Sequence, residues 1–118
     1  MIKLEDLFNR LDNFYLNEEE GIKIPYTEGV FQREVEPPHL AFTDIDYNYF
    51  DADDEFYFSK VNERLELTTL TRNRKLEKRI EKEILNEIIF KKEVAYIESE
   101  GIWNISYFFY LKEGENEE

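Results

Sequence analysis

The ten residues Ile102 to Leu111, IWNISYFFYL, place Trp103, Ile105, Tyr107, Phe109 and Leu111 on one side of an extended chain and Ile102, Phe108 and Tyr110 on the other. Successive strand side chains point to opposite faces of a sheet, so this segment reads as a strand that is apolar on both faces. A sheet built on it needs a core against one face. The other face needs a folded-over hairpin or another subunit.

Two segments can supply the core. Leu4, Leu7, Phe8, Leu11, Phe14 and Tyr15 recur at spacings of three and four, which predicts an amphipathic helix over the first fifteen residues, stopped by Asn17-Glu18-Glu19-Glu20-Gly21. Leu76, Ile80, Ile84, Leu85 and Ile88 form a second helical stripe, with Asn73 placed to cap it. Between them, Ile22 to Tyr26 reads as a short strand that Pro25 drives to a sheet edge, and His39 to Thr43 as a strand opened by Pro37-Pro38. Val61, Glu63, Leu65, Leu67 and Thr69 alternate with Asn62, Arg64, Glu66, Thr68 and Leu70, a long strand starting near Phe56. Val94 to Ser99 and Ile102 to Leu111 close the fold around a turn at Glu100-Gly101. The expected fold is α+β: a mixed, mostly antiparallel sheet with two helices packed on one face. Residues 1–111 form one domain, and 112–118 a flexible acidic tail.

Composition narrows the chemistry. Ten Phe, eight Tyr and one Trp in 118 residues are too many for a disordered chain. A formal charge of −13 opposes non-specific binding to nucleic acid or to anionic membranes. No apolar run reaches the ~20 residues that a membrane helix needs, and the acidic start is no signal peptide, so a soluble intracellular protein is expected. With no cysteine and a single histidine, His39, there is no thiolate nucleophile, no histidine-based triad and no multi-histidine metal site within one chain. His39 reads as a strand-opening residue. The glycines at 21, 29, 101 and 114 build no phosphate-cradling loop. No lysine has a carboxylate two residues before it, which removes the acid-x-lysine nuclease arrangement. No catalytic residue, metal site or cofactor is expected.

From Asp44 to Glu55 runs DIDYNYFDADDE, six acids interleaved with three aromatics and one isoleucine. Its acids have no EF-hand glycine, so they read as a solvated or partner-facing loop rather than a cation site. The segment holds too few neighbouring apolar residues to bury itself. It is therefore expected to be poorly ordered in the free chain and to order against a partner. The bases are concentrated elsewhere: residues 72–92 hold eight of the fifteen, against four acids. That basic segment sits in a strongly acidic chain, and reads either as a self-complementary surface or as a solubilising helix face.

The order of elements and several local strings resemble the tail terminator, or tail-to-head joining, proteins of long-tailed bacteriophages. The resemblance spans Glu36 to Tyr110. It rests on Pro37-Pro38 leading into a strand, an Asp- and aromatic-rich loop ending near Asp53-Asp54, and then Tyr57 and the strand through Glu66-Leu67. Thr69, Asn73, the helix opened by Leu76-Glu77, and Tyr96-Ile97-Glu98-Ser99-Glu100 before an aromatic strand complete the pattern. The chain departs from it at His39 and Thr68, where aromatic residues are common. The resemblance implies a non-enzymatic subunit of a ring, hexameric, that caps the tail tube and offers a joint to the head connector. DNA would pass through without specific binding. The implied location is the virion, at the tail end of the head–tail interface, after assembly in the host cytoplasm. The expected subunit or partner contacts are Tyr47, Tyr49, Phe50, Asp51, Asp53 and Asp54 on the loop, Arg74, Lys75, Lys78 and Arg79 on the second helix, and Ile102, Phe108 and Tyr110 on the last strand. Two other readings remain open from the residues: a head completion or stopper connector protein, and an acidic DNA-mimic inhibitor.

Overall fold

The computed structural model describes residues 2–45 and 60–112. Among the described residues, seven strands and two helices follow in the order α1 (Leu4–Asp12), β1 (Tyr15–Asn17), β2 (Ile22–Lys23), β3 (Tyr26–Glu28), β4 (His39–Ile45), β5 (Lys60–Thr69), α2 (Arg74–Glu83), β6 (Phe90–Ile97) and β7 (Ile102–Lys112). β1 and β2 form a separate small hairpin, and the main sheet has the order β3-β4-β5-β7-β6. β3 runs parallel to β4, while every other neighbour in the main sheet is antiparallel. The fold is α+β on a mixed, mostly antiparallel sheet, as the sequence predicts.

Both helices lie on the face that carries Leu40, Phe42, Leu65, Leu67, Ile105, Tyr107, Phe109 and Leu111. Leu7 and Leu11 of α1 and Leu76 and Ile80 of α2 are buried in the same core cluster. The ring of Phe8 on α1 meets Phe42 edge-on at 5.3 Å. Arg10 of α1 donates to the backbone carbonyls of Ile84 (2.9 Å) and Asn86 (2.8 Å), tying α1 to the far end of α2.

Local chemistry sets the element ends, and several differ from expectation. α1 stops at Asp12 rather than Tyr15. Asn13 leaves the helical region, and its amide side chain folds back on the carbonyl of Asn9 at 2.8 Å. Phe14 remains buried although it lies past the helix. The expected strand Ile22–Tyr26 is divided at Pro25, which has no N–H to offer. The Pro25 carbonyl accepts from Leu40 N at 2.9 Å, and the chain resumes as the edge strand β3. α2 ends at Glu83, and Ile84, Leu85 and Ile88 are buried from a turn in which Glu87 takes φ 67°.

Two other local features match the sequence. The Asn73 side chain accepts from Leu76 N at 3.0 Å, the expected N-cap. Gly101 closes the β6–β7 turn at φ 65°, the left-handed region that glycine enters without cost, and donates to Ile97 O at 2.8 Å. β6 starts at Phe90, four residues before the expected strand, and ends at Ile97. The Pro37–Pro38 peptide bond is cis.

Candidate interaction surfaces

α2 carries polar groups on two sides, and they behave differently. On the side turned toward β6, Glu77 is 1% exposed and accepts from Arg72 Nε at 2.7 Å and Lys92 Nζ at 2.9 Å. Lys92 also reaches Glu81 at 2.7 Å, and Glu81 accepts from the Tyr107 hydroxyl at 2.8 Å. The Arg72 guanidinium lies 5.5 Å from the Trp103 ring centre. Burial pushes the Glu77 carboxyl up, but the hydrogen bonds from Arg72 and Lys92 outweigh it and hold the group below the usual carboxylate range. Burial, then the hydrogen bond to Glu81, raises the Tyr107 phenol, so it stays a donor. This network joins α2 to β6, β7 and the β5–α2 connection. It uses Arg72 and Lys92, two of the eight bases counted in the basic segment.

Arg79 is also engaged within the chain. It donates to Tyr15 O at 2.7 Å, pairs with Glu83 at 3.2 Å and lies 4.5 Å from the Phe14 ring centre. Arg74, Lys75, Lys78 and Lys82 are exposed, and none has an ion pair among the described residues. Arg74, Lys78 and Lys82 recur every four residues, so they climb one side of the helix about 6 Å apart. The stripe is the free positive surface of α2.

The sheet face turned away from the helices has no covering layer among the described residues. Ile102, Phe108 and Tyr110 are half-buried there. The register sets charges beside them: Arg64 and Lys91 flank Phe108, while Glu66 and Glu93 flank Ser106. The pairs Arg64–Glu66 (2.8 Å) and Lys91–Glu93 (3.3 Å) cross between these rows. The apolar residues of β7 are thus interrupted by charged neighbours, a pattern that β7 alone does not reveal. A shallow depression of about 320 Å³ lies beside Lys91, Glu93, Phe108 and Tyr110.

At the opposite end of the helix-bearing face, Glu63 stands across from Asp44 and is 1% exposed. Burial, the hydrogen bond to Asp44 and the charges of Asp44 and Glu28 together push its carboxyl up to about 9, so it is protonated at neutral pH. Its Oε1 has no hydrogen-bond partner among the described residues. His39 opens β4 and meets Phe31 edge-on at 4.9 Å. Burial lowers its pKa, against the opposing pull of Glu66, so the ring is neutral at physiological pH.

Among the described residues no group of three or more His, Asp or Glu side chains is arranged to hold a metal ion. No described helix is long and apolar enough to cross a membrane. Tyr47, Tyr49, Phe50, Asp51, Asp53 and Asp54 lie outside the described residues. Of the other expected contacts, Arg74, Lys75 and Lys78 share one exposed stripe, Arg79 is turned inward beside it, and Ile102, Phe108 and Tyr110 lie on the far side of the sheet. The Glu77 network escapes a sequence reading because its members come from four separated stretches. No family model, curated protein or solved structure matches this chain.

Proposed function

We propose that the chain is a non-enzymatic structural subunit of a long-tailed bacteriophage. It assembles with copies of itself into a ring, hexameric, that caps the tail tube and provides the joint to the head connector, without a cofactor. The observation that carries this reading is the exposed stripe Arg74, Lys75, Lys78 and Lys82, left unpaired in a chain of net charge −13. Such a stripe suits an acidic neighbouring subunit. The sheet face turned away from the helices, which no described layer covers, offers a second broad surface, and the acidic remainder of the ring would let DNA pass by like-charge repulsion.

An acidic DNA mimic is supported less well, because the basic stripe interrupts any continuous run of carboxylates. Adding the purified chain to isolated tail tubes and imaging their ends by electron microscopy tests the proposal. Density capping a single end is the expected result. Binding to a head connector with no tube contact overturns it.

A further inference from the structure

β6 is the outermost strand of the main sheet. One edge is bonded to β7, and the other has no strand beside it among the described residues. Its eight residues are mostly exposed. The sheet's other edge, β3, is only three residues long. Long edge strands are normally guarded by bulges, by a covering element or by lysines held out toward solvent. β6 pairs with β7 in unbroken register from Phe90 to Ile97, without a bulge. Of its two lysines, Lys92 is drawn inward onto Glu77 at 2.9 Å and Glu81 at 2.7 Å, and Lys91, 75% exposed, has its charge offset by Glu93 at 3.3 Å. On the helix-bearing side the strand instead presents Val94, 39% exposed, and Tyr96, 51% exposed, with Tyr96 5.0 Å from the Trp103 ring.

A second copy of the chain fits this edge in one register. A two-fold axis perpendicular to the sheet keeps the helices of both copies on one side, so residues that face each other must share a face and the pairing must centre on a residue. Centring on Lys91, Lys92 or Glu93 places identical charges directly opposite, which destabilises antiparallel pairs. Centring on Ala95 shortens the ladder to 93–97. Centring on Val94 pairs 91–97, with Val94 opposite itself, Lys92 opposite Tyr96, Glu93 opposite Ala95 and Lys91 opposite Ile97. That register has no like-charge pair, and it buries the two exposed apolar residues of the edge.

The geometry points to a two-fold pairing of β6 with β6 of a second copy, centred on Val94, which joins the two main sheets into one. The contact closes on itself after two copies, as a ring contact does not, and leaves the basic stripe of α2 exposed. It therefore describes the chain before it meets a tail, and it does not depend on the tube-capping function.

The chain has no cysteine, so a single introduced cysteine reports a single contact. Directly opposed residues of an antiparallel pair have Cα atoms about 4.5–5.5 Å apart, within disulfide reach. The full chain carrying Val94→Cys should cross-link to a dimer in mild oxidant. Ala95→Cys should do so about tenfold more slowly, because its nearest copy is then a diagonal neighbour. In sedimentation at tens of micromolar the unmodified chain should run at twice the 14.4 kDa of one copy. Val94→Lys, which sets two ammonium groups face to face at a partly exposed site, should run as a monomer with an unchanged circular dichroism spectrum. A monomeric unmodified chain, a dimeric Val94→Lys variant, or faster linking at Ala95→Cys than at Val94→Cys would each overturn the pairing. Any of these outcomes leaves tube capping untouched, and a failure to cap tubes leaves the pairing untouched.

Discussion

Glu77 and Glu63 are each 1% exposed, yet their carboxyls move in opposite directions. Glu77 has two cations within 3 Å and stays ionised. Glu63 faces another acid, Asp44, and keeps its proton. Burial alone does not decide the state of a buried acid. The groups that the fold brings to it do.

The largest effect should come from breaking the compensated site. Glu77→Ala leaves Lys92 and Arg72 without their shared partner and should cost about 3–5 kcal/mol in urea unfolding. Because the folded Glu77 carboxyl lies below its unfolded value, its contribution is complete above about pH 4.5 and is lost as pH falls through the lower folded value. The Glu63 corner should show the opposite sign. Its folded pKa is raised from 4.5 to about 9, so its stabilising share is complete below pH 4.5 and drains away as pH climbs toward 9. Glu63→Gln, a neutral look-alike, should therefore stabilise the chain at pH 7 by on the order of 2–3 kcal/mol and flatten the decline between those pH values. An unaltered pH profile in that variant would show that Glu63 is ionised after all.

Smaller changes sharpen the contrast between α2's inward and outward polar groups. Asn73→Ala removes the cap on Leu76 N and should cost about 1 kcal/mol by thermal unfolding. Reversing Arg74, Lys78 and Lys82 together to glutamate should move stability by less than about 0.5 kcal/mol per site, since these side chains are solvated. Under the proposed function, that triple variant should fold normally and fail to form rings at low salt. Arg79→Glu should behave differently from the stripe and lower the melting temperature, because Arg79 holds the Tyr15 carbonyl and lies on the Phe14 ring.

How far these features were legible in the sequence varies by residue. The alternation along β5 already puts Glu63 on the face of Leu65 and Leu67, so an acid in the core was visible. Its partner was not, because Asp44 meets it only through the β4–β5 register. The basic segment was visible as a count, but the count did not separate Arg72, Arg79 and Lys92, which are consumed by internal pairs, from the exposed stripe. The apolar stripe through Ile88 marks the buried residues correctly, yet Ile84, Leu85 and Ile88 are buried from a turn. Periodicity reports which side chains leave water, not the backbone that carries them there.

What the amino-acid sequence determined by itself is local: the two helical stripes, the Asn73 cap, the turn at Gly101 and the alternating strands. Each follows from steric and hydrogen-bonding rules that act within a few residues. The tertiary structure alone decided that β7 runs between β5 and β6, that β6 is left at an edge, and that Glu77 meets two cations while Glu63 meets an acid. Those outcomes depend on strand order and register between segments tens of residues apart. There a one-residue slip would exchange the two faces of a strand and rewrite every such pair.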